Sequence, residues 1–156
     1  RTPTGLLWEA RSKDDGKTWT QPKPSKLVHP DAPPMLFHLS DGKTLINFIH
    51  NRHINTQYVG LTGKMDGMKD RSEIWVTLSK DGGRTWDEPR ILFANATVPN
   101  AEKNGWFNHN VSYLDAVIDQ GKIHIFCPHL WNRALHLVMS EDALSELPSR
   151  EDLANR

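Results

Sequence analysis

Residues 12–19 read SKDDGKTW, and residues 79–86 read SKDGGRTW. One eight-residue sentence written twice in a chain of 156 residues restricts the folds open to it. Setting Ser12 on Ser79 places Leu7 on Ile74, Trp8 on Trp75 and Pro22 on Pro89, an offset of 67 residues. Over residues 12–22, seven of eleven positions are identical, so the likeness reaches into the apolar segment before the motif and the Pro-bearing segment after it. A long period with this content points to a repeat architecture.

The segments around the motif read as strands. LLWEA (6–10) and EIWVTL (73–78) are rich in apolar, aromatic and β-branched residues and run straight into it. MLFHL-SDGK-TLINFI sets Gly42 in a turn between two apolar runs, and VSYLDAVI-DQGK-IHIFC does the same around Gly121. RALHLVMS (133–140) follows as another strand. The order is that of a four-stranded antiparallel sheet, repeated. Such units cannot bury both faces alone, so neighbours stack, and radial stacking gives a propeller. The expected fold is all-β, with about three blades of roughly 40–50 residues each. They are the outer half of one blade (1–28), a full blade (33–93) and a partial blade (111–140), followed by a polar tail (141–156) with a turn or two of helix. A closed ring takes about 4–8 blades, so the chain reads as a piece of a larger propeller. The rest would come from a missing part of a parent chain.

The repeated loop has a metal reading and a structural one. An acid-rich calcium loop needs alternating carboxylates over about 12 residues. The first copy offers Asp14 and Asp15, and the second keeps only Asp81 of that pair. Structure explains the pattern better. Ser12 and Asp14 bond nearby backbone amides, Gly16 takes a positive φ, Thr18 bonds back across the turn, and Trp19 and Trp86 anchor the loops between blades.

Lysine plus arginine and aspartate plus glutamate both total 19, which argues against a nucleic-acid partner. No apolar run approaches the roughly 20 residues that cross a bilayer. The chain opens on Arg1 rather than methionine and reads as a processed or truncated product, any export signal already removed. Its one cysteine, Cys127 in IHIFC, reads as a buried strand thiol. Sequons stand at Asn95-Ala96-Thr97 and Asn110-Val111-Ser112.

The pattern S-x-D-x-G-x-T-W resembles the Asp-box, or BNR repeat, of the sialidase superfamily. The likeness covers nearly the whole chain except the tail, through WEARSKDDGKTWTQPKP, HPDAPPMLFHLSDGKTLINF, SYLDAVIDQGKIHIFC and RALHLVMSE. It implies a six-bladed propeller with the Asp-boxes at the periphery, far from the active centre. It further implies a secreted or periplasmic, glycan-directed protein, usually one that hydrolyses a terminal sugar without a cofactor. Sialidases grip the sugar carboxylate with three arginines, use a tyrosine–glutamate pair as nucleophile and an aspartate as acid/base.

Arg52, at the end of LINFIHNR, resembles the family arginine after this strand, and Arg133 is a second candidate for the carboxylate. HPDAPPMLFHL carries no glutamate where the family has one. The acid/base aspartate and first arginine would lie in blades outside the chain. Tyr113, one of two tyrosines beside Tyr58, falls on the first strand of the last hairpin. His50, Asn51, Arg52 and His53 cluster at one strand end, while Asn108, His109 and Asn110 precede the strand of Tyr113. Arginine with histidine and tyrosine suits β-elimination on a uronic acid. The site expected is Tyr113, His53 and His109 for chemistry, with Arg52, Arg133, Asn51 and His50 for binding. No zinc spacing links His124, His129 and His136, so no metal is expected. Three functions stay open: an exo-acting glycoside hydrolase on terminal acidic sugars, a uronate lyase, and a propeller that binds a glycan or protein without catalysis.

Overall fold

The structure, a computed structural model, describes residues 2, 4–30, 32–51, 57–60, 63–66, 71, 73–94, 111, 113–129 and 133–155. The described strands are β1 (Leu6–Glu9), β2 (Lys23–Val28), β3 (Met35–His38), β4 (Leu45–Ile49), β5 (Gln57–Gly60), β6 (Gly63–Asp66), β7 (Glu73–Ser79), β8 (Arg90–Ala94), β9 (Asp115–Asp119), β10 (Lys122–His129) and β11 (Arg133–Ser140). A 3-10 turn at Asp142–Glu146 and the helix α1 (Arg150–Ala154) end the chain. The strands form a two-stranded sheet β1-β2, a four-stranded sheet β3-β4-β7-β8, a three-stranded sheet β9-β10-β11 and a hairpin β5-β6. Every strand pair is antiparallel.

Side-chain alternation makes the four-stranded sheet the middle layer. Successive residues of a strand point to opposite faces. Ile46 and Phe48 on β4, with Ile74 and Val76 on β7, join Ala116, Ile123, Ile125 and Cys127 of the three-stranded sheet in one core. Ile49 and Trp75 take the other face and pack on Leu27 and Leu7 of the two-stranded sheet. Burying each such side chain is worth about 1.5–3 kcal/mol. β4 and β7 therefore read as nearly unbroken apolar runs, LINFI and IWV, because both their faces are covered. Cys127 is buried as its IHIFC context implied, and desolvation pushes its thiol pKa up.

The strand order separates two ends of the sheets. The Asp-box loops, the β3–β4 turn and the β9–β10 turn share one end. There the carboxylate of Asp14 accepts from Thr18 N (2.9 Å) and Thr18 Oγ1 (2.6 Å), and Ser12 Oγ accepts from Gly16 N (2.8 Å). The Asp81 loop repeats this: Thr85 N at 2.9 Å, Thr85 Oγ1 at 2.7 Å, and Gly83 N on Ser79 Oγ at 2.8 Å. Asp41 plays the same part in the β3–β4 turn, taking Thr44 N at 2.7 Å and Thr44 Oγ1 at 2.6 Å. The Arg11 guanidinium ties the two Asp-boxes together, donating to Gly82 O at 2.9 Å and to Gly83 O. Glu141 ties the two hairpin turns: its carboxylate takes Ser40 N at 2.9 Å, and its amide donates to Gly121 O at 2.9 Å.

Three features depart from the sequence expectations. Trp86 packs against the core between the first two sheets, but Trp19 is 63% exposed and donates Nε1–H to Gly16 O at 2.9 Å, so only one of the two anchors. The hairpin β5-β6, unforeseen, lies between β4 and β7 in the chain and forms a sheet of its own. Residues after 140 are not merely a polar appendage. Leu144 enters the main core, Ile91 N donates to Pro148 O at 2.9 Å, and Ser149 caps α1 in a capping box with Asp152. Both sequons fall on residues 95–97 and 110–112, which are outside the described residues except Val111. Among the described residues, no helix is long and apolar enough to cross a membrane.

Candidate functional site

Chemistry-bearing side chains gather at the opposite end, where β4 finishes and β7 begins. His50 is the first residue past β4 and is only 4% exposed. Its Nδ1 lies 2.7 Å from Glu73 O, and a carbonyl only accepts, so Nδ1 carries a proton and donates. The His50 ring stacks on His29 with centroids 5.5 Å apart and planes at 24°. His29 Nε2 is held 2.8 Å from Ala32 O, while His29 Nδ1 accepts the His50 backbone N–H at 3.3 Å. Burial first, then the neighbouring His50, lowers the His29 pKa to about 3, so the ring is neutral.

Asn51 follows with φ 49°, a left-handed conformation that asparagine tolerates better than most residues. Its carbonyl accepts from Arg150 Nη2 at 3.2 Å, and the same guanidinium lies 5.3 Å from the Trp75 ring centre. α1 thereby braces the end of β4. Trp75 donates Nε1–H to Glu73 Oε2 at 2.9 Å. Asn51 also lines a groove of about 590 Å³ that runs past Leu27, Val28 and Trp86 between the first two sheets.

Tyr113 and Arg71 form the second cluster. Arg71 O accepts Val111 N at 2.9 Å, which joins the approach to β7 with the approach to β9. Arg71 Nη1 donates to Tyr113 Oη at 3.3 Å, and the guanidinium stands 5.7 Å from the tyrosine ring centre. Tyr113 lies two residues before β9 rather than on it, 48% exposed and at φ 65°. A bulky residue in that region carries about 1–2 kcal/mol of strain. Arg71 is close enough to help depress the His29 pKa, so the two clusters share one electrostatic neighbourhood.

Of the residues expected from sequence, His50 and Asn51 come together at the β4 end and Tyr113 stands at the same end of the sheets. Arg133 opens β11, exposed, with His129 as its cross-strand partner. Arg52, His53 and His109 lie outside the described residues, as do Asn108 and Asn110. Sequence reasoning missed His29, Arg71 and Glu73. The β-region ends that carry them have no local motif; the signal was the apolar start of β7 at Ile74, which marks residues 71–73 as its entry. Among the described residues, no group of three or more His, Cys, Asp or Glu side chains is placed to hold a metal ion.

Comparison with known proteins agrees with the two loops that open and close the repeat. No curated protein matches the chain. Residues 1–125 match the family described as BNR repeat-like domain. That match takes in both copies of S-x-D-x-G-x-T-W and the strands between them. The chain belongs to the BNR repeat-like family.

Proposed function

We propose that the chain supplies part of a carbohydrate-active β-propeller, acting outside the cytoplasm, whose His50/Tyr113 end binds the terminal acidic sugar of a glycan for exo-hydrolysis. The observation that carries this reading is Tyr113, held in a strained backbone with its hydroxyl on the Arg71 guanidinium, at the end that also carries the His29–His50 stack. Strain of this kind persists where the surroundings fix it and is enriched at functional sites. A guanidinium grips a sugar carboxylate through paired N–H donors, and the Tyr113 hydroxyl stands beside it. His50 adds an imidazole held in place by its Nδ1–H bond to Glu73 O.

Elimination is the second reading, and the pairing of Tyr113 with an arginine favours it. There the guanidinium neutralises a uronate carboxylate. Tyrosine or histidine then removes the proton from the carbon beside it, the electron pair forms a C=C bond, and the glycosidic C–O bond breaks. The departing oxygen takes a proton. Both reactions are tested together. The protein is incubated with sialyllactose and with a glucuronate-containing polysaccharide, following free sialic acid and the absorbance of the unsaturated uronate. Arg71→Lys is expected to weaken binding of the acidic sugar roughly 10–100-fold, because lysine lacks the fork. Tyr113→Phe is expected to abolish turnover while leaving binding nearly intact. Binding without either product, in a folded protein, would mean a non-catalytic glycan-binding propeller. No binding of either sugar would sink the proposal.

A further inference from the structure

His29 has both ring nitrogens engaged between the first two sheets. Nε2–H donates to Ala32 O at 2.8 Å, which leaves Nδ1 as the acceptor for the His50 N–H at 3.3 Å. Its own amide donates to Gly5 O at 3.0 Å, so the residue is also fastened to the entry of β1. The His50 amide is the first beyond β4, and the next residue, Asn51, turns into the left-handed region. One buried imidazole therefore holds the point where the middle sheet delivers its candidate site residues.

We propose that His29 is a positioning residue of this end of the sheets, pinning the His50 amide and the backbone of Asn51 only while its ring is neutral, and releasing them in acid. As a role in sugar recognition, it rests on the function proposed above. The release follows from valence. A protonated ring carries N–H on both nitrogens, so Nδ1–H would meet the His50 N–H donor to donor. The charge would be buried against the His50 ring at the end of β4 and near Arg71 ahead of β7. Glu73 turns its carbonyl to His50 and its carboxylate to Trp75. The folded-state pKa of His29, about 3, lies below the ordinary value of 6.5. In the folded chain the ring therefore stays neutral, and the hold intact, well below 6.5, and the hold is lost only as pH falls toward about 3. The stability that the neutral ring contributes is full above about 6.5 and declines from there.

The ring and the amide are read directly by NMR on the ligand-free chain. His29 is expected to remain a neutral Nε2–H tautomer at pH values where an ordinary histidine, with pKa about 6.5, is charged. His29→Phe keeps a flat ring but offers no acceptor, and should speed exchange of the His50 amide about tenfold near neutral pH, the difference from the wild type shrinking in acid. His29→Asn places an oxygen near the Nδ1 position and cannot be protonated, so it should preserve the amide into acid where the wild type loses it. Binding of sialyllactose or a glucuronate oligosaccharide should weaken with acid in the wild type and much less in His29→Asn. Ordinary titration of His29, or an unchanged His50 amide in His29→Phe, would overturn the proposal. So would identical acid profiles of wild type and His29→Asn. If the NMR results hold and neither sugar binds, the hold of His29 on His50 stands and the sugar-binding reading falls.

Discussion

The two Asp-box loops share a bonding pattern and differ in surroundings. Within each, a serine hydroxyl takes the glycine amide and an aspartate takes the threonine amide and hydroxyl, with distances equal to within 0.1 Å. Around them, nearly everything changes. Trp19 lies open on its own turn, while Trp86 packs with Trp75 and Ile91 in the core beside the first sheet. Gly16 has open space on all sides but one, whereas a Cβ on Gly83 would meet Trp86 Cζ2 at 3.4 Å and Leu45 Cδ1 at 3.7 Å. The loop is thus a self-contained device, and the tryptophan contributes to packing only where a neighbouring sheet stands against it.

Paired substitutions can break that comparison. The largest difference is expected for the tryptophans. Trp86→Ala should cost about 2–3 kcal/mol in urea unfolding, somewhat less than full burial would imply, and Trp19→Ala less than about 0.5 kcal/mol. Equal losses would mean that the exposed ring is also an anchor. Next come the glycines, both at positive φ. Gly16→Ala and Gly83→Ala should each cost about 1 kcal/mol for the left-handed backbone, since the contacts of 3.4–3.8 Å that a Cβ on Gly83 would make are ordinary ones and require no neighbour to move.

Acid sharpens the comparison from the side where the loops are alike. Bonds from Thr18 and Ser12 lower the Asp14 pKa to about 2, Thr44 does the same for Asp41, and Thr85 with Ser79 pushes Asp81 lower still. A depressed carboxylate stabilises the folded chain above its unfolded pKa, about 4, and that contribution is lost as pH falls through the folded value. Thermal melts between about pH 4 and about 2 should therefore steepen downward, and Asp14→Asn and Asp81→Asn should each flatten the slope. A small effect is also expected for Arg11→Lys, which keeps the charge but loses the fork and should cost less than about 1 kcal/mol.

The loops were legible because their chemistry is local: every donor and acceptor lies within about one turn of chain, and a glycine marks the left-handed residue. The strands were legible too, since β4 and β7 show their double burial as apolar runs. The candidate site was legible only in part. His50 and Asn51 end a clear strand, but His29 meets them from across a sheet boundary, and Arg71 meets Tyr113 from 42 residues away. No periodicity records such meetings. Tyr113 was misplaced because SYLDAV has strand composition, yet the backbone turns at Tyr113 and pairing starts only at Asp115. The hairpin β5-β6 went unseen because its paired ends are glycines, Gly60 and Gly63, in a segment with little apolar alternation.

Arg11 reaches the second loop through the carbonyls of Gly82 and Gly83, groups that every residue type presents. The joint between the repeats is therefore written in one copy and blind to side chains in the other. Drift from Asp15 and Lys17 to Gly82 and Arg84 leaves it intact, provided the turn keeps its shape. Such a fastening lets duplicated units diverge in sequence without coming apart.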